Sequence, residues 1–137
     1  MQKITFPFQR EKSSIFGSVS RPVAEAFFWS FKRKIWEKII AIVDTGADYT
    51  LLPYYLAAHL GIDLKKECES YPTSGIGGTE RVFLFREMPF KIGPWKNKIP
   101  IGFLAHDNVP PLLGRQGCLE KIGVVLNSRK TTFVFSR

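Results

Sequence analysis

Cysteine and histidine are scarce in this chain of 137 residues: it holds two of each, Cys68 and Cys118, His59 and His106. The cysteines have neither metal-ligand spacing nor the pattern of a disulfide framework, so two free thiols in a reducing compartment are expected. The histidines lack companion ligands and read as structural or surface residues, and no metal or other cofactor is implied. Long apolar runs are missing too. The longest, Ile39 to Val43, is far too short to cross a bilayer. Met1 to Pro7 lacks the apolar stretch of a signal peptide. The expectation is therefore a soluble, cytoplasmic protein with no membrane partner, although a domain cut from a longer polyprotein reads the same way. There is no internal repeat and no low-complexity tract.

Acidic residues are also few. Twelve Asp and Glu against twenty Lys and Arg give a net charge of +8, which could attract nucleic acid, an anionic membrane or an acidic substrate. The basic clusters are small, however: Lys32-Arg33-Lys34, Lys65-Lys66 and Arg129-Lys130. Each sits between apolar runs, where solvated turns need polar residues anyway. A nucleic-acid partner is thus not expected.

What the chain does have is material for a core: 45% hydrophobic and 14% aromatic residues, enough to exclude disorder. Nine prolines and eleven glycines, many of them between short runs of Val, Ile and Phe, favour short strands joined by turns. A single, mainly β domain over residues 1–137 follows. Ile4, Phe6 and Phe8 alternate as in a half-buried or edge strand, and Pro7 keeps that segment from a central position. Ile15 to Val23 reads as a second strand. Ala24 to Val43 is ambiguous. Phe28, Phe31, Ile35, Ile39 and Ile42 have near-helical spacing, yet Phe27 to Phe31 and Ile35 to Val43 also suit a hairpin around Lys32-Arg33-Lys34. Pro53 to Leu60 suits a short helix stopped by Gly61. Further strands are expected at Val82 to Phe85, Phe90 to Ile92, Ile99 to Leu104, Val124 to Leu126 and Thr132 to Phe135. Gln116 to Ile122 is expected to form a short helix.

Three segments carry chemistry. In Ile42-Val43-Asp44-Thr45-Gly46-Ala47-Asp48 an apolar strand delivers a carboxylate into a tight turn. An Asp beside apolar residues is costly unless paired or functional, although an ordinary strand-ending turn uses the same residues. Ser74-Gly75-Ile76-Gly77-Gly78 is a glycine-rich tip with one apolar residue. It reads as a hairpin loop, because the Lys-Ser/Thr ending of a phosphate-binding loop is absent. Leu112-Leu113-Gly114-Arg115 reads by itself as a core strand running into a turn.

In this order and at these separations the segments resemble the retropepsins, the single-domain aspartic proteases of retroviruses and their cellular relatives. That family carries Asp-Thr-Gly-Ala after an apolar strand, a glycine-rich flap hairpin, and an apolar-apolar-Gly-Arg segment near the C-terminus. The resemblance spans Ile39 to Leu126. It implies an all-β, closed retropepsin-like barrel with one or two short helices, and it selects the hairpin for Ala24 to Val43.

By the same resemblance the chain is an aspartic endopeptidase. Asp44 supplies a catalytic carboxylate, Thr45 bonds its mate across a twofold, and Gly46 approaches the substrate backbone. Ala47, Asp48, Leu51, Gly75, Ile76, Gly77, Leu112 and Leu113 face an extended peptide or protein substrate. Gly114 and Arg115 support the site, with Arg115 paired to Asp48. The chemistry needs two carboxylates around one water, and like charges about 3 Å apart cannot both ionise, so the pair keeps one proton. Asp48, Asp63 and Asp107 are not followed by Thr-Gly or Ser-Gly. The second carboxylate must then come from another copy in a twofold homodimer. The alternative is a catalytically silent module of the same fold that dimerises or binds peptides. About forty residues precede Asp44, more than in compact viral enzymes, which puts the viral mode of pairing through terminal strands in doubt.

Overall fold

The computed structural model describes residues 2–75 and 78–136, and the side chains of all of these except 74, 75, 78 and 79. The chain runs β1 (Gln2–Pro7), β2 (Gln9–Ser13), β3 (Gly17–Arg21), β4 (Val23–Ser30), β5 (Ile35–Val43), β6 (Thr50–Leu52), α1 (Tyr55–Leu60) and α2 (Leu64–Glu67). It continues with β7 (Glu69–Gly75), β8 (Gly78–Ile92), β9 (Trp95–Leu104), β10 (Leu112–Leu113), a 3-10 turn at Leu119–Lys121, β11 (Gly123–Asn127) and β12 (Lys130–Phe135). The architecture is all-β with two short helices.

The strand order β4-β5-β10-β6-β9-β8 closes on itself, because β8 also pairs with β4 through Phe27↔Lys91 and Phe28↔Phe90. Closure leaves no open edge among these strands. Strand β7 extends the wall as the partner of β8. Inside, Ala24, Ala26 and Phe28 from β4 meet Ile39, Ala41 and Val43 from β5, all buried. Phe28 stacks edge-on against Phe90 with centroids 5.1 Å apart. Each buried aromatic or aliphatic side chain of this kind contributes about 1.5–3 kcal/mol. The ends of the chain form a second sheet, β1-β12-β11, whose Phe6, Phe133 and Phe135 join the same core.

The ambiguous stretch is the β4–β5 hairpin. Phe28 and Ile39 point inward, whereas Phe31 and Ile35 are exposed where the chain reverses. Lys34 closes that turn with φ 58°. Strand β1 lies at a sheet edge, where Pro7 costs no ladder bond. Helix α1 begins just beyond Pro53 and ends at Gly61, with φ 77°.

Several elements differ from the sequence expectation. Ile15 and Phe16 belong to no strand; they form the turn between β2 and β3. Val82–Phe85 and Phe90–Ile92 are parts of one long strand, β8, interrupted by a bulge between Phe85 and Met88. The helix expected at Gln116 to Ile122 shrinks to a 3-10 turn, since Gly117 takes φ 67° and breaks the helical path. Helix α2 had not been expected. Its cap is Asp63, whose carboxylate accepts N–H bonds from Lys65 (3.0 Å) and Lys66 (3.1 Å).

The basic clusters have local roles. Lys32, Arg33 and Lys34 occupy the β4–β5 turn, Arg129 lies in the β11–β12 turn with Lys130 opening β12, and Lys65 and Lys66 lie in α2. On the outer barrel wall Lys91 Nζ lies 5.0 Å from the Phe27 ring centroid and 4.9 Å from that of Trp36. Both thiols are free. Burial pushes Cys118 up to about 12, and burial followed by Glu67 and Asp63 pushes Cys68 up to about 11, so both stay protonated and unreactive near neutrality.

Candidate active site

Asp44 follows the last residue of β5, the point at which an apolar strand leaves the core. Strand alternation buries Val43 and leaves Asp44 partly exposed, with Thr45 and Gly46 open to solvent. Strand β10 slots between β5 and β6, with Leu112↔Ile42 and Leu113↔Val43 in parallel and Leu112↔Leu51 antiparallel. The Asp44 N–H then donates to the Leu113 carbonyl at 3.0 Å, continuing the ladder past the strand end.

The loop itself is held at every residue. Gly46 N–H donates to Asp44 Oδ1 at 2.9 Å, and Ala47 N–H to the Asp44 carbonyl at 3.1 Å. A Cβ on Gly46 would sit 3.2 Å from Asp44 Oδ1, so glycine keeps the carboxylate uncrowded. Arg115 N–H donates to the Ala47 carbonyl (3.0 Å) and Gln116 N–H to the Asp48 carbonyl (2.8 Å). The Arg115 guanidinium bridges the Thr45 carbonyl (Nη1, 2.6 Å) and Asp48 Oδ1 (Nη2, 2.8 Å). Arg115 and Asp48 are largely exposed, so their ion pair adds at most about 1 kcal/mol. Its consequence is positional, because one side chain ties the two halves of the loop together. Beneath it Gly114 is buried against the Tyr49 backbone and donates to the Thr50 hydroxyl at 3.2 Å.

The structure therefore brings Asp44, Thr45, Gly46, Ala47, Asp48, Gly114 and Arg115 into one bonded unit. Leu51 and Leu112 are half-buried neighbours on paired strands beside it. Leu113 is different. It is fully buried in the barrel core and forms no cleft wall, because adjacent strand residues face opposite sides. Gly75 ends β7 and pairs with Gly78 of β8 in a hairpin. Ile76 and Gly77 lie outside the described residues.

Two grooves border the loop. One holds Asp44 with Arg21, Pro22, Ile42, Pro110 and Leu112. The other runs between Tyr49 and the β7–β8 hairpin, along Tyr71, Pro72, Val82, Leu84 and Arg86. Burial, and then the Asp48 charge, push the Tyr49 phenol up, keeping it a neutral wall. Arg86 Nη2 donates to Glu69 Oε1 (3.1 Å) and to the Tyr71 hydroxyl (3.4 Å), and Tyr71 donates to Glu69 Oε1 (2.7 Å). The Arg86 hydrogen bond, followed by that of Tyr71, holds the Glu69 carboxyl below its usual range. Sequence reasoning missed Arg21, Pro22, Tyr49, Tyr71, Leu84, Arg86 and Pro110. They converge only through long-range strand pairing, and no local motif marks them.

Residues 37–116, more than half of the chain, match a family model described as aspartyl protease. The matched span runs from β5 through the Asp44 loop to Gln116, and the chain belongs to the aspartyl protease family. No curated protein matches the sequence. Among solved structures, a retropepsin-like aspartic protease from Rickettsia conorii is similar with a TM-score of 0.67. The match covers 96% of this chain and 98% of that one at 22% identity. The fold is retropepsin-like.

Proposed function

We propose that the chain is an aspartic endopeptidase whose active centre forms when two copies pair, each contributing one Asp44. The observation that carries this reading is the setting of Asp44. It is a partly exposed carboxylate on a loop braced by backbone bonds and Arg115, set in one of two grooves whose walls include apolar side chains. One carboxylate cannot be both base and acid at once, and the sequence offers no second Asp-Thr/Ser-Gly segment.

In the pair, a water sits between the two carboxyls, which together hold one proton. The ionised Asp44 takes a proton from the water as its oxygen bonds to the scissile carbonyl carbon. The protonated Asp44 gives its proton to the carbonyl oxygen, forming a neutral gem-diol. In collapse, the Asp44 that took the proton from water gives it to the amide nitrogen, while one diol hydroxyl gives its proton to the ionised Asp44, which restores the pair with one proton. The C–N bond breaks and leaves an acid and an amine. Thr45 is available at the exposed face of the loop to bond its mate, and the β7–β8 hairpin covers the substrate. Half-buried Leu51 and Leu112 favour apolar side chains around the cut bond.

A digest of a peptide library across protein concentration tests the proposal. Cleavage between apolar residues is expected, strongest in mildly acidic buffer, with a rate per chain that rises with concentration. A rate per chain that stays constant while the protein is diluted through dimer dissociation would contradict pairing.

A further inference from the structure

We propose that the β2–β3 hairpin is a dimerisation arm, which leaves one copy beside the Asp44 groove and packs its apolar tip on a second copy of this chain. The inference rests on the paired reading of Asp44 and adds the element that governs how tightly the pair forms.

The hairpin is poorly accounted for within one chain. Among the described residues its strands pair only with each other, from Gln9↔Arg21 to Ser13↔Gly17, and join neither the barrel nor the terminal sheet. A lone two-stranded hairpin is marginal in water. Yet its turn is well built: the Ser13 hydroxyl accepts N–H bonds from Ile15 (3.2 Å) and Phe16 (3.1 Å), and Gly17 takes φ 77°. The sides are polar, with Gln9, Arg10, Glu11 and Lys12 all exposed. The tip is not. Ile15 and Phe16 are 80% and 76% exposed, the highest values among the exposed large hydrophobic residues described. Two apolar side chains at the far end of a polar arm stabilise nothing in the chain that carries them.

Position identifies the occupant. Arg21 at the root of the arm and Glu11 at the middle of β2 are ion-paired and line the groove that contains Asp44 and Leu112. The Pro22 carbonyl accepts the N–H of Val43, the residue before Asp44, at 2.8 Å. The arm is thus anchored at the rim of the site, and five residues per strand give it a reach of about 16 Å. When two Asp44 carboxyls come within reach of one water, an arm on that rim meets the other copy before any third molecule. The terminal strands are less available for this purpose. Strands β1 and β12 already pair within one chain, from Gln2↔Phe135 to Pro7↔Lys130, a register that exchange between copies would sacrifice.

The test is the double variant Ile15→Ser, Phe16→Ser, compared with wild type by sedimentation equilibrium and by peptide cleavage over a dilution series. Both residues are exposed and their turn is held by Ser13 and Gly17, so the monomer fold should persist, as circular dichroism would verify. The dimer dissociation constant should rise about tenfold or more, the scale expected when one large apolar side chain no longer has a partner surface to cover it. Activity should fall at low concentration and recover at high concentration with kcat unchanged. An unchanged dimer constant overturns the arm, as does a loss of kcat that concentration does not restore, which would mean that the tip acts on substrate. A wild-type chain that never dimerises overturns it too. Failure of the protease reading is separately visible, as cleavage that persists in Asp44→Asn.

Discussion

Replacing Asp44 with Asn is expected to abolish peptide cleavage while leaving the protein folded. Asn keeps an Oδ1 acceptor for the Gly46 N–H, which Asp44 Oδ1 receives at 2.9 Å. The backbone bonds from Asp44 N–H to Leu113 and from Ala47 N–H to Asp44 do not involve the side chain. Stability should therefore change by less than about 1 kcal/mol. What disappears is the group that, in the proposed mechanism, takes a proton from water and returns it. Removing a member of a cooperating catalytic unit costs about ten-thousandfold or more in kcat. The check pairs kcat on a cleaved library peptide with a urea denaturation curve. A variant cleaving within about tenfold of wild type would exclude the carboxylate mechanism.

The largest structural effect is expected at Gly114. A Cβ there would lie 2.3 Å from the carbonyl carbon and oxygen of Tyr49 and 2.7 Å from its Cα. These are backbone atoms, and neither segment can retreat easily. Arg115 and Gln116 are bonded to Ala47 and Asp48, and Gly114 itself to Thr50. Gly114→Ala must break some of these bonds or distort the Asp44 loop, at a cost of about 3 kcal/mol or more. Gly17→Ala is the control. That glycine has a positive φ of 77°, but nothing lies within 4 Å of its Cβ position, so only backbone strain of about 1–2 kcal/mol applies. Equal losses in the two variants, measured by urea denaturation, would refute the close-packing account.

How much was legible beforehand depended on how local each feature is. Asp44 to Asp48 and Leu112 to Arg115 are short segments marked by residue type and order, and they meet in space through the β5–β10 pairing. The Ala24 to Val43 hairpin was obscured because its inward row on β4 is Ala24, Ala26, Phe28 and Ser30, three of them small. The large residues Phe31 and Ile35 stand at the turn and imitate a helical stripe. Strand β2 left no signal, since Gln9 to Ser13 contains no apolar residue and pairs only with β3. Leu113 could have been assigned to the core, because strand period two lets only one of two adjacent leucines face a cleft. The groove residues Arg21, Tyr49, Tyr71 and Leu84 were not readable at all. Their proximity is created by strand pairings among segments far apart in the chain.

The central claim is that one active centre takes its two carboxylates from two chains. Adding an equal amount of Asp44→Asn chain to wild type, at concentrations where pairing is complete and partners exchange, tests it most directly. Random pairing turns half of the wild-type chains into mixed dimers with a single carboxylate, so activity should fall to about half although no wild-type protein was removed. Activity unchanged after full exchange would contradict the account, because it would mean that each chain cuts peptides without the Asp44 of another.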